Sequence, residues 1–315
     1  MKTLLNQKWT AILVSISATT AIVLSLTAFS INLLDEYGFI LFMMVPFSLG
    51  LMSTLIYGHY ENRTFRETLG ISFYTLLVVC TGLIIIKIEG ILCVIMASPF
   101  VTVFTLLGAT VGHQFPKRTR KTVIRVLSLN VLAIPIMMGV ETKVFTDTFG
   151  LIKVNTAITI EAPVEKVWEN VIVFPPISEP DELIFKTGIA YPTSSEIVGT
   201  GEGAIRYCEF TTGRFVEPIE VWDAPYRLQF SVMEQPAPLK DMLSEEVPGN
   251  MYKYFASTKG EFKLRQIDES TTLLEGNTWY YHKIRPAGYW RFWSDFIIHA
   301  IHTRVLKHIK IVSEK

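Results

Sequence analysis

Hydrophobic positions follow two different rules along this chain. Through the first 140 residues they form five long runs, 10–34, 37–57, 69–86, 91–111 and 122–140, with only short polar breaks between them. Each run approaches the ~20 apolar residues that take a helix across a hydrocarbon core. Lys2 and Lys8 precede the first run, as basic residues do in a signal peptide. That run is longer than a signal's apolar region and others follow at once, which predicts a retained first helix. The fifth run is interrupted by Arg125, Asn130 and Pro135. Arginine can snorkel toward headgroups, and proline is tolerated in membrane helices. Five spans are the leading expectation and four the alternative.

Beyond a connector at 141–151 the pattern shortens. Residues 152–162 alternate as a strand, Pro163 stands where a first helical turn accepts proline, and Val164, Val167, Trp168 and Val171 form an apolar helical stripe. Pro175 and Pro176 end it, and a second short helix is expected at 179–186. Strand-like segments follow at 203–211, 214–222, 226–233, 260–267 and 271–282, set apart by turn residues such as Thr212-Gly213 and Asp268-Glu269. A long helical pattern over about 287–311 comes last. The predicted architecture is an all-α transmembrane bundle over 1–140, followed over 152–315 by an α+β helix-grip domain. In that domain a curved antiparallel sheet surrounds a long C-terminal helix.

Composition sharpens this division. With 50% hydrophobic and 18% charged residues and a mean hydropathy of +0.34, the chain is neither disordered nor an ordinary single-domain soluble enzyme. Basic and acidic residues balance at 29 each, so bulk charge gives no reason to expect a nucleic-acid partner. The balance is uneven, with 11 basic and 7 acidic residues up to Leu151 and 18 and 22 after it. Positive segments (Lys2 and Lys8; Arg63 and Arg66; Lys117, Arg118, Arg120 and Lys121) alternate with neutral or acidic ones (Asp35 and Glu36; Lys87 with Glu89). Under the positive-inside rule the N-terminus is cytoplasmic, and after five crossings the C-terminal half is extracytoplasmic. Four crossings would return it to the cytoplasm. The expected setting is a multi-pass protein of a bacterial inner membrane. Lys87 and Glu89 read as a short polar turn at the outer interface, and His113 beside Gln114 as a helix end. Cys80, Cys93 and Cys208 are scattered, so neither a disulfide framework nor a zinc site is expected, and no cofactor is implied.

The stretch Ile-Thr-Ile-Glu-Ala-Pro-Val-Glu-Lys-Val-Trp-Glu, from Ile158, resembles the opening of the START-like, Bet v 1-like superfamily, also labelled SRPBCC or polyketide cyclase/dehydrase. Gly-Glu-Gly-Ala-Ile-Arg-Tyr, from Gly201, and Glu-Pro-Ile-Glu-Val-Trp-Asp-Ala-Pro-Tyr-Arg-Leu-Gln-Phe, from Glu217, are similar to its middle strands. Arg-Val-Leu-Lys-His-Ile-Lys, from Arg304, resembles the end of its last helix. The resemblance covers about half the chain. It implies a cavity between sheet and long helix that holds an apolar ligand, and it does not choose among binding proteins, lipid carriers and enzymes.

Strand parity nominates site residues without a family. If Thr212-Gly213 is a two-residue turn, Cys208 faces Glu217 and Arg206 faces Ile219. Arg206, Cys208 and Phe210 then share a face with Phe215, Glu217, Ile219 and Val221, and the next hairpin adds Leu228, Phe230 and Val232. On this most apolar face Arg206 and Glu217 are diagonal neighbours able to pair. They form either a polar anchor for a lipophilic ligand or a structural pair. On the last strand, parity with Leu274 and Gly276 turns Thr278 and Tyr280 inward. The expected ligand-binding set is Arg206, Glu217, Phe230, Thr278 and Tyr280. Asp241, Glu245 and Glu246 fall in a stretch, 235–250, without clear period, which reads as a lid or a solvated loop. Asp295, His299 and His302 lie within about 60 degrees of one another on the final helix. Tyr289, Trp293, Phe296, Ile297 and Ala300 occupy the opposite face, which is expected to pack on the sheet and leave the histidines outside, with no metal.

Three functions compete. The leading one is a membrane-tethered binding or carrier module for a hydrophobic small molecule or lipid. The second is a cyclase-, dehydratase- or hydrolase-type enzyme on an aromatic or polyketide-like compound. The third is an interaction or sensory domain with no ligand.

Overall fold

The computed structural model describes residues 2–34, 37–59, 61, 63–115, 120–144, 150–239 and 254–315. Asp35, Glu36, Lys117, Arg118, Asp241, Glu245, Glu246 and connector residues 145–149 lie outside them. The chain forms two compact units, Met1–Asp147 with Ile284–Pro286, and Thr148–Lys283 with Ala287–Lys315.

The first unit holds helices α1 (Lys2–Ala28), α2 (Val45–Tyr57), α3 (Phe65–Ile85), α4 (Ile91–Gln114) and α5 (Arg120–Val144). Wider π-type turns extend α1 over Phe29–Leu33 and precede α2 over Ile40–Met44. Five helical segments are long and apolar enough to cross a membrane. The most apolar window of α2 is 78% buried, against 17–33% for the other four, so α2 is the central helix and the rest turn apolar side chains such as Leu77, Val103 and Leu132 outward. Close approach of α2 and α4 depends on glycine. A Cβ on Gly50 would overlap the Thr105 carbonyl, and one on Gly108 would overlap that of Phe47. Hydroxyl groups also join the helices: Ser53 and Ser72 Oγ atoms are 2.9 Å apart, and Ser15 Oγ donates to the Ser53 carbonyl at 2.7 Å.

The polar interruptions of the fifth run are satisfied inside a continuous helix. Asn130 accepts a hydrogen bond from Ser48 Oγ at 2.6 Å and donates one to the Val126 carbonyl at 2.8 Å. Glu141, buried near the end of α5, accepts from the backbone N–H groups of Phe39 and Ile40 at 2.5 and 3.0 Å. Those donors open a helical segment and have no intrahelical partner, so a carboxylate suits them. Glu89 lies in the turn between α3 and α4, where its carboxylate accepts from Tyr37 Oη at 2.5 Å.

The second unit contains β1 (Ile152–Ile160), α6 (Val164–Ile172), a 3-10 turn (Leu183–Thr187), β2 (Pro192–Val198), β3 (Ile205–Phe210), β4 (Gly213–Asp223), β5 (Arg227–Ser231), β6 (Phe255–Asp268), β7 (Thr271–His282) and α7 (Ala287–Ser313). The strands form one antiparallel sheet in the order β1-β7-β6-β5-β4-β3-β2, with α6 and α7 packed on it: a helix-grip fold. The four stripe residues of α6 are all buried. They meet Ile160, Leu228, Leu264, Leu274, Leu306 and Ile309 in the main core.

Three expectations are corrected. Strand β2 replaces a segment the sequence pattern left unassigned, because a Pro-Thr-Ser-Ser-Glu run at a sheet edge has little alternation. The β3–β4 turn falls at Thr211-Thr212, so Arg206 stands opposite Glu217 and Cys208 opposite Phe215. That slide of two residues preserves parity and keeps the inner face unchanged. A bulge between Ile219 and Val221 then reverses the parity of β4, so Trp222 joins the core in place of Val221.

Candidate functional site

The five nominated residues fall into two groups. Arg206, Glu217 and Phe230 belong to the first. Arg206 and Glu217 are buried at 2% and 6% exposure and form an ion pair through Nη1 and Oε2. The guanidinium lies 5.2–5.5 Å from the ring centroids of Phe174, Phe230 and Phe262, an aromatic enclosure that suits its diffuse charge. Gly260 makes room for it, since a Cβ there would overlap the Phe230 ring. Burial pushes the Glu217 carboxyl above its ordinary range, and the Arg206 charge pulls it back in part. Burial likewise pushes the Cys208 thiol up to about 12, so it is an inert core residue. Arg206 Nε is buried and has no partner among the described residues.

Thr278 and Tyr280 belong to the second group and face α7, as their parity predicts. The surprise is on the helix. Trp290, Ile298, Val305, Leu306 and Ile309 supply its buried side, while Phe296 is 50% exposed. Asp295 and His302 reach the sheet, and His299, though exposed, also touches it through Thr156. Tyr280 Oη donates to Asp295 Oδ1 at 2.6 Å, and Arg291 Nε lies 3.3 Å from Asp295 Oδ2. Thr278 Oγ1 is 2.7 Å from His302 Nε2, while Thr156 Oγ1 is 3.0 Å from His302 Nδ1 and 2.8 Å from His299 Nδ1. Burial, then the Asp295 carboxylate, raises the Tyr280 phenol above its ordinary range. Burial, then the neighbouring His299, holds the His302 imidazole down at about 4.

Sequence reasoning put both histidines outside; His299 is exposed, but His302 lies between Thr156 and Thr278, because aromatic residues surround the first half of α7 and the apolar stripe alone did not select a face. The missed partner was Thr156. Its inward parity on β1 matches that of Thr278 on β7, and the two directly oppose Gly276 and Val154.

Along β1 and α7 runs an open groove of about 470 Å³, lined by Lys153, Val154 and Asn155 on one side and Phe292, Asp295, Phe296 and His299 on the other. The helix residues recur at the spacing of a single face. Two aromatic rings therefore share one face with a carboxylate and an imidazole, a mixture of apolar wall and few polar groups.

The neutral state of His302 has a testable consequence. An unfolded chain takes up a proton at this histidine near pH 6.5, whereas the folded chain refuses it until about pH 4. The stability it contributes is thus present above 6.5 and lost as pH falls through about 4, at up to about 1.4 kcal/mol per pH unit. Thermal unfolding of the detergent-solubilised protein between pH 6.5 and 4.5 is expected to show this decline. His302→Gln should flatten it.

The chain matches no family model and no curated protein. Solved structures similar to it include an uncharacterised protein from Bacillus thuringiensis, at 17% identity and a TM-score of 0.34, covering 52% of this chain and 100% of that one. A norcoclaurine synthase from Thalictrum flavum is similar at 10% identity and a TM-score of 0.33, covering 53% and 97%. The Zhui aromatase/cyclase from Streptomyces sp. R1128 is similar at 14% identity and a TM-score of 0.32, covering 52% and 92%.

Proposed function

We propose that this protein is a membrane-tethered binding or carrier module for a hydrophobic small molecule or lipid, with residues 1–140 as anchor and 152–315 as the binding domain. The observation that carries the reading is the α7 groove, in which Phe292 and Phe296 offer apolar surface beside Asp295 and His299. A ligand would lay its apolar body on the rings and its polar end toward the imidazole and Lys153. Delipidated protein titrated with fatty acids, lysophospholipids, sterols and aromatic ketones is expected to show saturable thermal stabilisation by at least one class. Phe296→Asp should weaken that binding at least tenfold, since burying a phenylalanine side chain is worth about 1.5–3 kcal/mol. No stabilisation by any class would overturn the reading.

A second reading, an enzyme of cyclase, dehydratase or hydrolase type on an aromatic or polyketide-like compound, is favoured by one observation, the imidazole and carboxylate side by side in that groove.

The alternating charge of the connecting segments supports five crossings, a cytoplasmic N-terminus and an extracytoplasmic second unit. Glu269 is exposed in the turn between β6 and β7, so Glu269→Cys provides a probe site. It is expected to react with a membrane-impermeant maleimide in intact cells, above the background of the parent protein, whose Cys93 and Cys208 are buried. Labelling only after lysis would place this unit in the cytoplasm.

A further inference from the structure

Counting protons in the α7 cluster leads further than binding. A neutral imidazole carries one N–H and one lone pair, and a threonine hydroxyl has one proton to donate. Thr156 Oγ1 lies within hydrogen-bond distance of Nδ1 on both His299 and His302, and Thr278 Oγ1 holds the remaining nitrogen of His302. Thr156 can thus donate to one histidine while accepting from the other. In one arrangement His299 Nδ1–H donates to Thr156, Thr156 donates to His302 Nδ1, and His302 Nε2–H donates to Thr278. In the second arrangement every one of these bonds runs backwards. His299 Nε2 has no partner among the described residues, and its ring lines the groove.

We infer that His299 is the proton-exchanging group of this groove, and that Thr156, His302 and Thr278 are positioning residues that set which of its nitrogens carries the proton. The first arrangement presents a lone pair at Nε2 and makes His299 a base. The reversed one presents an N–H at Nε2 and makes it an acid. The suited substrate class is an enolisable carbonyl compound with an apolar body, which deepens the binding reading and rests on it. The C–H bond of such a compound breaks, its proton goes to His299 Nε2 and the electron pair stays behind as the enolate. The same proton then returns from the imidazolium to a different atom of the enolate, leaving an isomer of unchanged formula. Asp295 on α7, itself held by Tyr280 of β7 and Arg291, and Lys153 of β1 are the charged groups that share the groove with His299. His302 stays neutral because it is buried, and so relays direction instead of storing charge.

Histidine ¹⁵N NMR of the full-length, ligand-free protein in detergent tests this. Once His299 is charged, both its nitrogens bear protons, so in the relay Thr156 accepts from His299 and donates to His302 Nδ1. His302 is then expected to be neutral with its proton on Nε2. Thr156→Val should change the His302 ¹⁵N pattern at that pH, and Thr156→Ser should restore it. Finding His302 protonated on Nδ1 in that state, or charged together with His299, would overturn the relay. So would a His302 pattern indifferent to Thr156→Val in a variant that melts normally. Because no ligand is present, failure here is separate from a failure of the lipid and ketone titrations.

Discussion

Glu217→Leu, with Arg206 left in place, is expected to destabilise the second unit by about 3–5 kcal/mol, the cost of stranding one member of a buried ion pair. The guanidinium would retain three aromatic rings but lose its charged partner, at a site where both side chains are essentially out of solvent. Arg206→Met together with Glu217→Leu should recover most of that loss, because apolar residues of similar volume replace buried pairs at little net cost. Thermal unfolding of the single and double variants reads the difference. The double variant also separates the two roles open to this pair. If the pair only fixes β3 against β4, ligand-dependent stabilisation survives unchanged. If Arg206 anchors a ligand's head, stabilisation falls at least tenfold in ligand concentration.

Gly50→Val should have a comparable effect on the first unit and by a different cause. A side chain at Gly50 meets backbone on α4, the Thr105 carbonyl and the Ala109 nitrogen, which cannot rotate away. Overpacking against side chains costs about 1–3 kcal/mol, and a clash with backbone should exceed that range. In the proposed membrane setting helices associate through close fit and polar contacts, so no alternative drive would compensate. The expected result is loss of the monodisperse folded species on size exclusion in mild detergent. Gly70→Ala is the control, since a Cβ there meets nothing within 4 Å, and it should be neutral or slightly stabilising.

What the sequence made legible was whatever one periodicity determines alone. Apolar length located the five helices, and the stripe Val164, Val167, Trp168 and Val171 located α6 with its buried face. Two-residue alternation put Arg206, Glu217, Phe230, Thr278 and Tyr280 on the inner face even though the β3–β4 register was off by two. Features set by two elements together were out of reach. The bulge in β4 shows only in its pairing with β5, and it exchanges Val221 for Trp222. The face of α7 is chosen by partners far away in sequence: Thr156 stands 143 residues before His299. A polar triad on a helix rich in aromatics reads as a solvent face until the hydroxyl groups opposite it are known.

The bond from Glu141 to the amides of Phe39 and Ile40 also bears on the order of events during synthesis. Those donors emerge from the ribosome about a hundred residues before their acceptor, and in the proposed membrane setting an unpaired amide would cost several kcal/mol. The second unit has the same form, for β1 pairs with β7 and packs against α7, both made long after it. Both units therefore wait, partly assembled, for a late C-terminal piece that completes them. A nascent chain stopped inside α5 or α7 is an unfinished object with exposed polar backbone or an open sheet, and such intermediates are what quality-control proteases recognise.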